Sequence, residues 1–179
     1  MSKVKLGIIG LGNMGQVHCK LVSSLADFEL TAVADHVSER CAKMQARYKV
    51  TAFDSGAKLI ASGSCDAVLI ATPHYDHTRL GCQALRRGCH VMIEKPISVD
   101  KLDALRLVKA HDNPRQIFAA MFNQRTHPAY QQLRHWIQSG EFGAVRRVQW
   151  TITDWFRTQA YYDSGDWRAT WAGEGGGVL

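Results

Sequence analysis

Short apolar runs alternate with helix-compatible stretches along the first two-thirds of the chain. Ala67-Val68-Leu69-Ile70-Ala71 is apolar throughout, which is typical of a strand buried on both faces. Ser38–Tyr48 has helical spacing, and we expect Ser38 to be its N-cap. The pattern predicts six strands, at residues 3–9, 28–34, 50–53, 67–71, 90–94 and 116–121. Helices are expected at residues 14–26, 38–48, 77–87 and 99–111, with a short helix after residue 54.

Strand–helix alternation with short connections predicts an α/β fold, the doubly wound parallel sheet of Rossmann domains. We place an NAD(P)-binding domain at residues 1–122 and the start of an α+β domain at residues 123–179. In this second region Pro128–Ser139 has helical spacing. Residues 144–156 alternate between apolar and polar, which predicts a strand of an antiparallel sheet with one wet face.

Composition excludes disordered, collagen-like and low-complexity classes, since 46% of residues are hydrophobic and 21% are charged. The net charge of +6 is spread along the chain, which favours a mildly basic surface over a nucleic-acid binder. No apolar stretch approaches the ~20 residues of a membrane span. Five cysteines without a C-x-x-C pair are typical of reduced, packing cysteines, so we expect a cytoplasmic protein with neither structural zinc nor membrane contact.

A glycine-rich turn, Gly10-Leu11-Gly12-Asn13-Met14-Gly15, follows the first predicted strand and opens the first helix. In this context Gly10 permits the tight turn, Gly12 lets the backbone approach a pyrophosphate, and the helix N-terminus faces the phosphates. Asp35 follows Gly15 by 20 residues, at the end of the second strand, where a carboxylate can accept from the adenosine ribose. The carboxylate repels a 2′-phosphate, so the pattern favours NAD over NADP, although Arg40 could turn toward such a phosphate.

Two further motifs end strands on the same edge. Thr72 and Pro73 follow the fourth strand, as candidate walls of the ligand crevice, and His77 lies nearby as a candidate cofactor contact or simply the start of a helix. Glu94-Lys95-Pro96 follows the fifth strand. A lysine there can exchange a proton with a substrate hydroxyl, and the Lys95–Pro96 bond is a plausible cis peptide.

These motifs, followed by Phe122-Asn123-Gln124-Arg125, resemble the glucose–fructose oxidoreductase, inositol dehydrogenase and rhizopine-catabolism (Gfo/Idh/MocA) family. The resemblance continues through Gly140-Glu141-Phe142-Gly143, Trp167-Arg168 and Gly175-Gly176-Gly177. It implies a Rossmann domain, an α/β domain with a mostly antiparallel sheet, and NAD(P)-dependent oxidation or reduction of sugars, inositols or related polyols. It also implies a homo-oligomer.

Carried over by position, Lys95 resembles the family's catalytic lysine and Pro96 its cis-proline neighbour. The resemblance implies that Asn123 and Arg125 lie in the segment that links the two domains near the nicotinamide. It also implies that Trp167 and Arg168 reach toward cofactor and substrate. The full set of candidate cofactor-binding residues is Gly10, Gly12, Asn13, Met14, Asp35, Thr72, Pro73, His77, Glu94, Lys95, Pro96, Asn123, Trp167 and Arg168.

The chain stops where members of this family continue, since a histidine that works beside the lysine is expected after the triple glycine. We therefore expect the N-terminal half of an oxidoreductase. Two hypotheses stay open: an enzyme acting on a polyol or sugar, and a dinucleotide-binding module without turnover. A methyltransferase using the glycine turn for S-adenosylmethionine fits poorly with Glu94-Lys95-Pro96 at the fifth strand.

Overall fold

The structure of the protein is a computed structural model that describes residues 2–153, 156–163, 165 and 167–176. Its main unit is a six-stranded parallel sheet flanked by helices. Its strands are β1 (Val4–Ile9), β2 (Phe28–Ala34), β3 (Thr51–Phe53), β4 (Ala67–Ile70), β5 (His90–Ile93) and β6 (Phe118–Ala120). Between them lie α1 (Asn13–Val22), α2 (Ser38–Tyr48), α3 (Gly56–Ser62), α4 (Tyr75–Arg86) and α5 (Lys101–Ala110). The strand order is β3-β2-β1-β4-β5-β6, so the winding reverses between β1 and β4. The doubly wound sheet predicted from the sequence is confirmed.

Element bounds follow the hydrophobic pattern closely in this unit, except that α1 ends at Val22, four residues before the predicted end at residue 26. β2 and α2 begin and end at the residues expected from the sequence. The N-cap prediction for Ser38 is wrong, because the helix already begins at Ser38 and no side chain caps it. The backbone N–H of Val37, just before the helix, instead donates to Oδ1 of Asp35 over 2.8 Å. The carboxylate at the end of β2 thus organises the start of α2.

Two apolar cores cover the two faces of the sheet. Successive residues of β1 point to opposite faces, so Ile8 joins the core under α1 and α2 while Ile9 joins the core under α3, α4 and α5. Both side chains are almost completely buried, and each contributes on the order of 2 kcal/mol of transfer free energy. Burial of both faces explains why β4 reads as a continuous apolar run.

The residues after the sheet form a second compact unit, Phe122–Arg168, while the segment from Ala169 belongs to the first unit. The second unit contains a 3₁₀ turn at Asn123–Thr126 and helices α6 (Pro128–Gln138) and α7 (Gln159–Asp163). Helix α8 (Trp171–Glu174) lies in the returning segment. The domain boundary after residue 122 stays a prediction.

The strand predicted at residues 144–156 does not form in the part of this segment that the structure describes. Residues 144–153 have no strand pairing, and Asp154 and Trp155 lie outside the described residues, as does Gly177. Val148, Trp150 and Ile152 are largely exposed. Alternation favours a strand only where a neighbouring strand satisfies its backbone groups, and the described residues offer none to this segment.

The sequence predicts that the chain has no membrane-spanning segment and that its cysteines are reduced packing residues. No helix among the described residues is long and apolar enough to cross a lipid bilayer. All five cysteines are buried and free, in agreement with packing cysteines.

We predict that Gly15→Ala destabilises the fold by more than about 2 kcal/mol, because a Cβ at Gly15 would overlap the carbonyl oxygen of Gly10 at the end of β1. Gly12→Ala is the matched control: nothing lies within 4 Å of a Cβ at Gly12, whose φ is −68°. We expect the control to change stability by less than about 1 kcal/mol. Urea unfolding of both variants measures the difference, and equal midpoints would contradict this account of helix packing.

Candidate functional site

The carboxyl edge of the sheet collects most of the predicted site residues. β1 leads into Gly10, β2 into Asp35, β4 into Thr72 and β5 into Glu94. Parallel strands end on one edge, so these positions line the crevice beside the point where the winding reverses. The structure gathers eleven of the predicted residues there: Gly10, Gly12, Asn13, Met14, Asp35, Thr72, Pro73, His77, Glu94, Lys95 and Pro96.

The glycine turn brings the start of α1 against the strand ends. Gly10 has a φ of +91°, and a Cβ there would lie 2.6 Å from the backbone of Ala71, so no other residue fits. Gly15 packs directly under the carbonyl of Gly10. The helix therefore begins at the sheet edge with its N-terminal amides facing the crevice.

The residues present fit a pyrophosphate and the rest of a dinucleotide. The N-terminus of α1 has no side-chain cap and no acidic residue in its first turn. Asn13 and Met14 are exposed, and the space beside Gly12 is open. Across the turn, the buried hydroxyl Oγ1 of Thr72 has no hydrogen-bond partner among the described residues. An anion at this position would receive helix N–H groups and the positive end of the helix dipole.

Asp35 is buried and accepts hydrogen bonds from the protein itself, which its motif alone does not indicate. Its side chain is only 4% exposed. Oδ2 accepts from the N–H of Leu11 in the glycine turn over 2.7 Å, and Oδ1 accepts from Val37. The carboxylate therefore holds the glycine turn in place, while an ionised carboxylate retains lone pairs for further donors.

Two basic side chains lie close to this carboxylate. Nη1 of Arg40 is 3.6 Å from Oδ2, and Nδ1 of His36 is 3.4 Å from Oδ1 of Asp35. Arg40 thus pairs with the acidic group that would otherwise repel a 2′-phosphate. The sequence left open that Arg40 turns toward a 2′-phosphate. The side chain of Arg40 lies at this end of β2, beside Asp35.

A buried hydrogen bond between two side chains, which sequence reasoning missed, ties α1 to the end of β5. Nε2 of His18 lies 2.7 Å from Oε1 of Glu94, and each side chain is 8% exposed. Burial, the largest single influence, raises the pKa of Glu94, but the hydrogen bond and charge of His18, together with the backbone N–H and charge of Lys95, outweigh it and lower the pKa of the carboxyl group. The sequence could have indicated that His18 is buried, because it follows Gly15 by about one helical turn and so lies on the same buried face of α1.

Glu94 also arranges the loop that carries the candidate catalytic lysine. Its second oxygen, Oε2, accepts from the backbone N–H of Lys95 over 3.1 Å. The Lys95–Pro96 peptide is cis, as expected from the sequence. The side chain of Lys95 is exposed at the carboxyl edge. A flexible amine is therefore anchored through its backbone and free to meet a ligand in the crevice.

His77 links the two loops on either side of this crevice. The side chain is completely buried, with Nδ1 2.8 Å from the carbonyl oxygen of Pro96 and Nε2 2.9 Å from that of Thr72. The imidazolium form can donate to both carbonyls, whereas the neutral ring donates to one. His77 is neither the first residue of α4 nor an exposed residue, so it serves as a tie between the β4 and β5 loops.

The remaining candidates belong to the second unit. Asn123 is exposed and begins the 3₁₀ turn. The guanidinium of Arg168 lies over the rings of Tyr161 and Trp167, at 4.4 and 4.5 Å, and donates to the Tyr161 hydroxyl over 2.6 Å. Contact of Asn123, Trp167 and Arg168 with a cofactor stays a prediction. Across the described part of the chain, no three His, Cys, Asp or Glu side chains gather as metal ligands.

A parallel sheet of this order, with a glycine turn at its reversal point, defines a dinucleotide-binding Rossmann domain. Residues 4–122 match the model of an oxidoreductase family with an NAD-binding Rossmann fold. Residues 130–179 match the Gfo/Idh/MocA C-terminal domain. The chain belongs to the Gfo/Idh/MocA oxidoreductase family, which confirms the resemblance read from the motifs.

Relatives of this chain include dehydrogenases of inositol and of a nucleotide sugar. UDP-N-acetylglucosamine 3-dehydrogenase of Acidithiobacillus ferrooxidans is 34% identical over 83% of this chain and 45% of its own length. Inositol 2-dehydrogenase of Rhizobium meliloti is 32% identical over 84% of this chain and 46% of its own. The crystal structure of the WlbA dehydrogenase from Bordetella pertussis, in complex with NADH and UDP-GlcNAcA, matches with a TM-score of 0.84 and 28% identity. That match covers 96% of this chain and 53% of WlbA. The chain thus spans about half the length of the relatives it matches.

We predict that His77 makes the fold less stable below about pH 6.5. Burial, the largest influence, lowers the pKa of His77 from its ordinary 6.5; the nearby His74 also lowers it, and the Pro96 and Thr72 carbonyls and Glu94 oppose the shift. The unfolded chain therefore binds the proton more readily, so the stability that His77 provides is present above pH 6.5 and lost as the pH falls toward its lower folded value.

Thermal unfolding of the protein and of His77→Gln, at about pH 7.5 and pH 5.5, measures this contribution. The melting temperature should fall less in the variant than in the unchanged protein over this interval. Glu94 does not interfere, because its pKa is lowered from 4.5 and its contribution is lost only at more acidic pH. An equal fall in both proteins would show that His77 takes up no proton linked to unfolding.

Proposed function

We propose that this chain forms the cofactor-binding half of an NAD(P)-dependent oxidoreductase that transfers a hydride between a nicotinamide and a sugar, inositol or related polyol. The observation that carries the proposal is the placement of two motifs on one sheet edge. The glycine turn follows β1 and the Lys95 loop follows β5, with β4 and Thr72 between them. Phosphate binding and proton exchange are thereby available within one crevice.

Each part of the cofactor has residues suited to it. The N-terminal turn of α1, with Gly12, Asn13 and Met14, suits the pyrophosphate. Asp35 suits the ribose hydroxyls of the adenosine. Thr72, Pro73 and the loop from Glu94 to Pro96 suit the nicotinamide side of the crevice. Bound there, a nicotinamide would supply or accept the hydride.

Lys95 is suited to the proton that accompanies hydride transfer. Its ammonium group can donate to a substrate oxygen in reduction, and its neutral amine can accept from a hydroxyl in oxidation. Glu94 and His77 act as positioning residues, since Glu94 binds the backbone N–H of Lys95 and His77 reaches the carbonyl of Pro96. The substrate class rests on the relatives named for inositol and UDP-N-acetylglucosamine. The homo-oligomer and the cytoplasmic location expected from the sequence stay predictions.

The second candidate function is dinucleotide binding without turnover. The coverage gives it only weak support, since the chain matches 45% and 46% of the length of two dehydrogenase relatives. The two candidates share the cofactor crevice and differ in whether a substrate site is complete. Cofactor binding and turnover must therefore be measured separately.

We predict that this chain binds NADH more tightly than NADPH and that Asp35→Ala reduces the preference at least about tenfold, the effect of roughly 1.4 kcal/mol. The reason is that the carboxylate accepts from the ribose and repels a 2′-phosphate. Energy transfer from tryptophan to bound nicotinamide measures both dissociation constants.

The ratio of the two constants separates ribose recognition from support of the glycine turn. Loss of the Leu11 hydrogen bond would weaken the binding of NADH and NADPH equally, and would leave the ratio of their dissociation constants unchanged. Arg40→Ala is the companion variant, and it should raise the preference for NADH because it removes the cation that pairs with Asp35. An unchanged ratio of the two dissociation constants in both variants would contradict the proposed role of Asp35.

We predict that Lys95→Met leaves the dissociation constant for NADH within about twofold and lowers turnover by about 10²–10⁴-fold. The substitution keeps an unbranched side chain and removes the amine. Initial rates are measured with NAD⁺ and NADP⁺ against a panel of inositols and UDP-sugars. Lys101→Met, a lysine at the start of α5, is the control and should leave both quantities unchanged. If the unchanged chain binds NADH and turns over none of the panel, binding without turnover becomes the better proposal.

A further inference from the structure

The opposite edge of the sheet carries a pair of cysteines that the proposed cofactor site does not use. Cys65 precedes β4 by two residues and Cys89 precedes β5 by one. Ala67 of β4 pairs in register with His90 of β5. With neighbouring strands ~4.8 Å apart and a rise of ~3.3 Å per residue, the two Cα atoms are separated by roughly 5–7 Å. Disulfides have Cα separations in about this range.

The two thiols interact, and the pKa values of the two groups shift in opposite directions. Donation by the Cys65 thiol lowers the pKa of Cys89, although burial and the charge of Asp66 oppose this shift. The same hydrogen bond, together with burial, raises the pKa of Cys65. Burial raises the pKa of the other three cysteines, Cys19, Cys41 and Cys82. Cys89 is therefore the one cysteine of this chain whose pKa is lowered, and the Cys65 thiol beside it has a raised pKa.

A cavity gives small molecules a route to this pair. It has a volume of about 300 Å³ and is lined by both cysteines together with Ile60, Asp66 and Arg87. Gly63 and Gly88 also line it, and nothing lies within 4 Å of a Cβ built on either glycine. The thiols thus lie at the wall of an open cavity although their residues are only 8% and 7% exposed.

We propose that Cys65 and Cys89 form an oxidisable thiol pair that a hydroperoxide converts to an intramolecular disulfide. The Cys89 thiolate attacks the peroxide, whose O–O bond breaks, and becomes a sulfenic acid while hydroxide leaves. Cys65 then gives up its proton, its thiolate attacks the Cys89 sulfur, the S–S bond forms, and the hydroxyl group of the sulfenic acid leaves with that proton as water. The thiol protons end on water, so two thiols and one hydrogen peroxide give one disulfide and two waters.

The disulfide would close a loop that contains β4, the Thr72-Pro73 turn and α4. The pair itself lies at the amino ends of the strands, away from the carboxyl edge that carries the proposed cofactor site. The proposal therefore stands or fails independently of cofactor binding.

The test is a titration of the folded chain with hydrogen peroxide, followed by alkylation of free thiols and peptide mapping by mass spectrometry. The expected product is a single linkage between the Cys65 and Cys89 peptides, with loss of two hydrogens per chain and reversal by dithiothreitol. Cys65→Ser should stop at a sulfenic acid on Cys89 that dimedone traps. Cys89→Ser should leave Cys65 reduced at the same peroxide concentration.

Cys82→Ser is the matched control, since Cys82 is equally buried in the same apolar cluster, and it should form the linkage as the unchanged chain does. Should the serine variants fail to fold, the alkylation rate of each cysteine in the unchanged chain at neutral pH gives the answer, with Cys89 expected at least about tenfold faster than Cys82. A linkage to any other cysteine, or equal alkylation of Cys89 and Cys82, would overturn the proposal.

Discussion

The contact between α1 and the end of β1 is the constraint on which the carboxyl edge of this protein depends. It requires that Gly15 have no side chain, because the carbonyl of Gly10 occupies the position of a Cβ. Once the helix lies this close, the amide of Leu11 reaches Asp35 and the ring of His18 reaches Glu94. One short backbone contact therefore fixes where the phosphate-binding turn, the end of β2 and the Lys95 loop stand relative to each other.

Buried polar contacts, rather than apolar packing, complete this edge. Strand ends expose carbonyl and amide groups that need partners when they are covered. Asp35 serves the ends of β1 and β2, Glu94 joins β5 to α1, and His77 spans the loops after β4 and β5. These side chains combine structural and functional roles, since the groups that hold the loops also border the crevice. A substitution at such a position must be read by a ratio or a pH profile, because simple loss of binding reports both roles together.

The sequence predicts those features of the molecule that depend on residues close together in the chain. It misses those that depend on contacts between residues far apart in the chain. The alternating apolar runs and the glycine turn are local signals, and they predicted the sheet, its winding and the motif residues at its edge. The partners of those residues arise from contacts across the chain: His18 meets Glu94 over a separation of 76 residues. No local pattern encodes such a pair. The alternation after Gly143 misled for a related reason, because strand formation depends on a partner strand that the described residues do not contain.

Parallel strands place unlike chemistry at the two edges of one sheet. Their carboxyl ends meet helix N-termini, which carry partial positive charge and attract anions. Their amino ends follow helix C-termini and tight turns, here at Gly63 and Gly88, whose φ values of +65° and +86° turn the chain back toward β4 and β5. These two turns deliver Cys65 and Cys89 to neighbouring strands through the same right-handed connections that deliver Thr72 and Glu94 to the other edge. The winding that assembles the cofactor crevice therefore also brings the two thiols together, and the register of β4 against β5 sets the geometry of both.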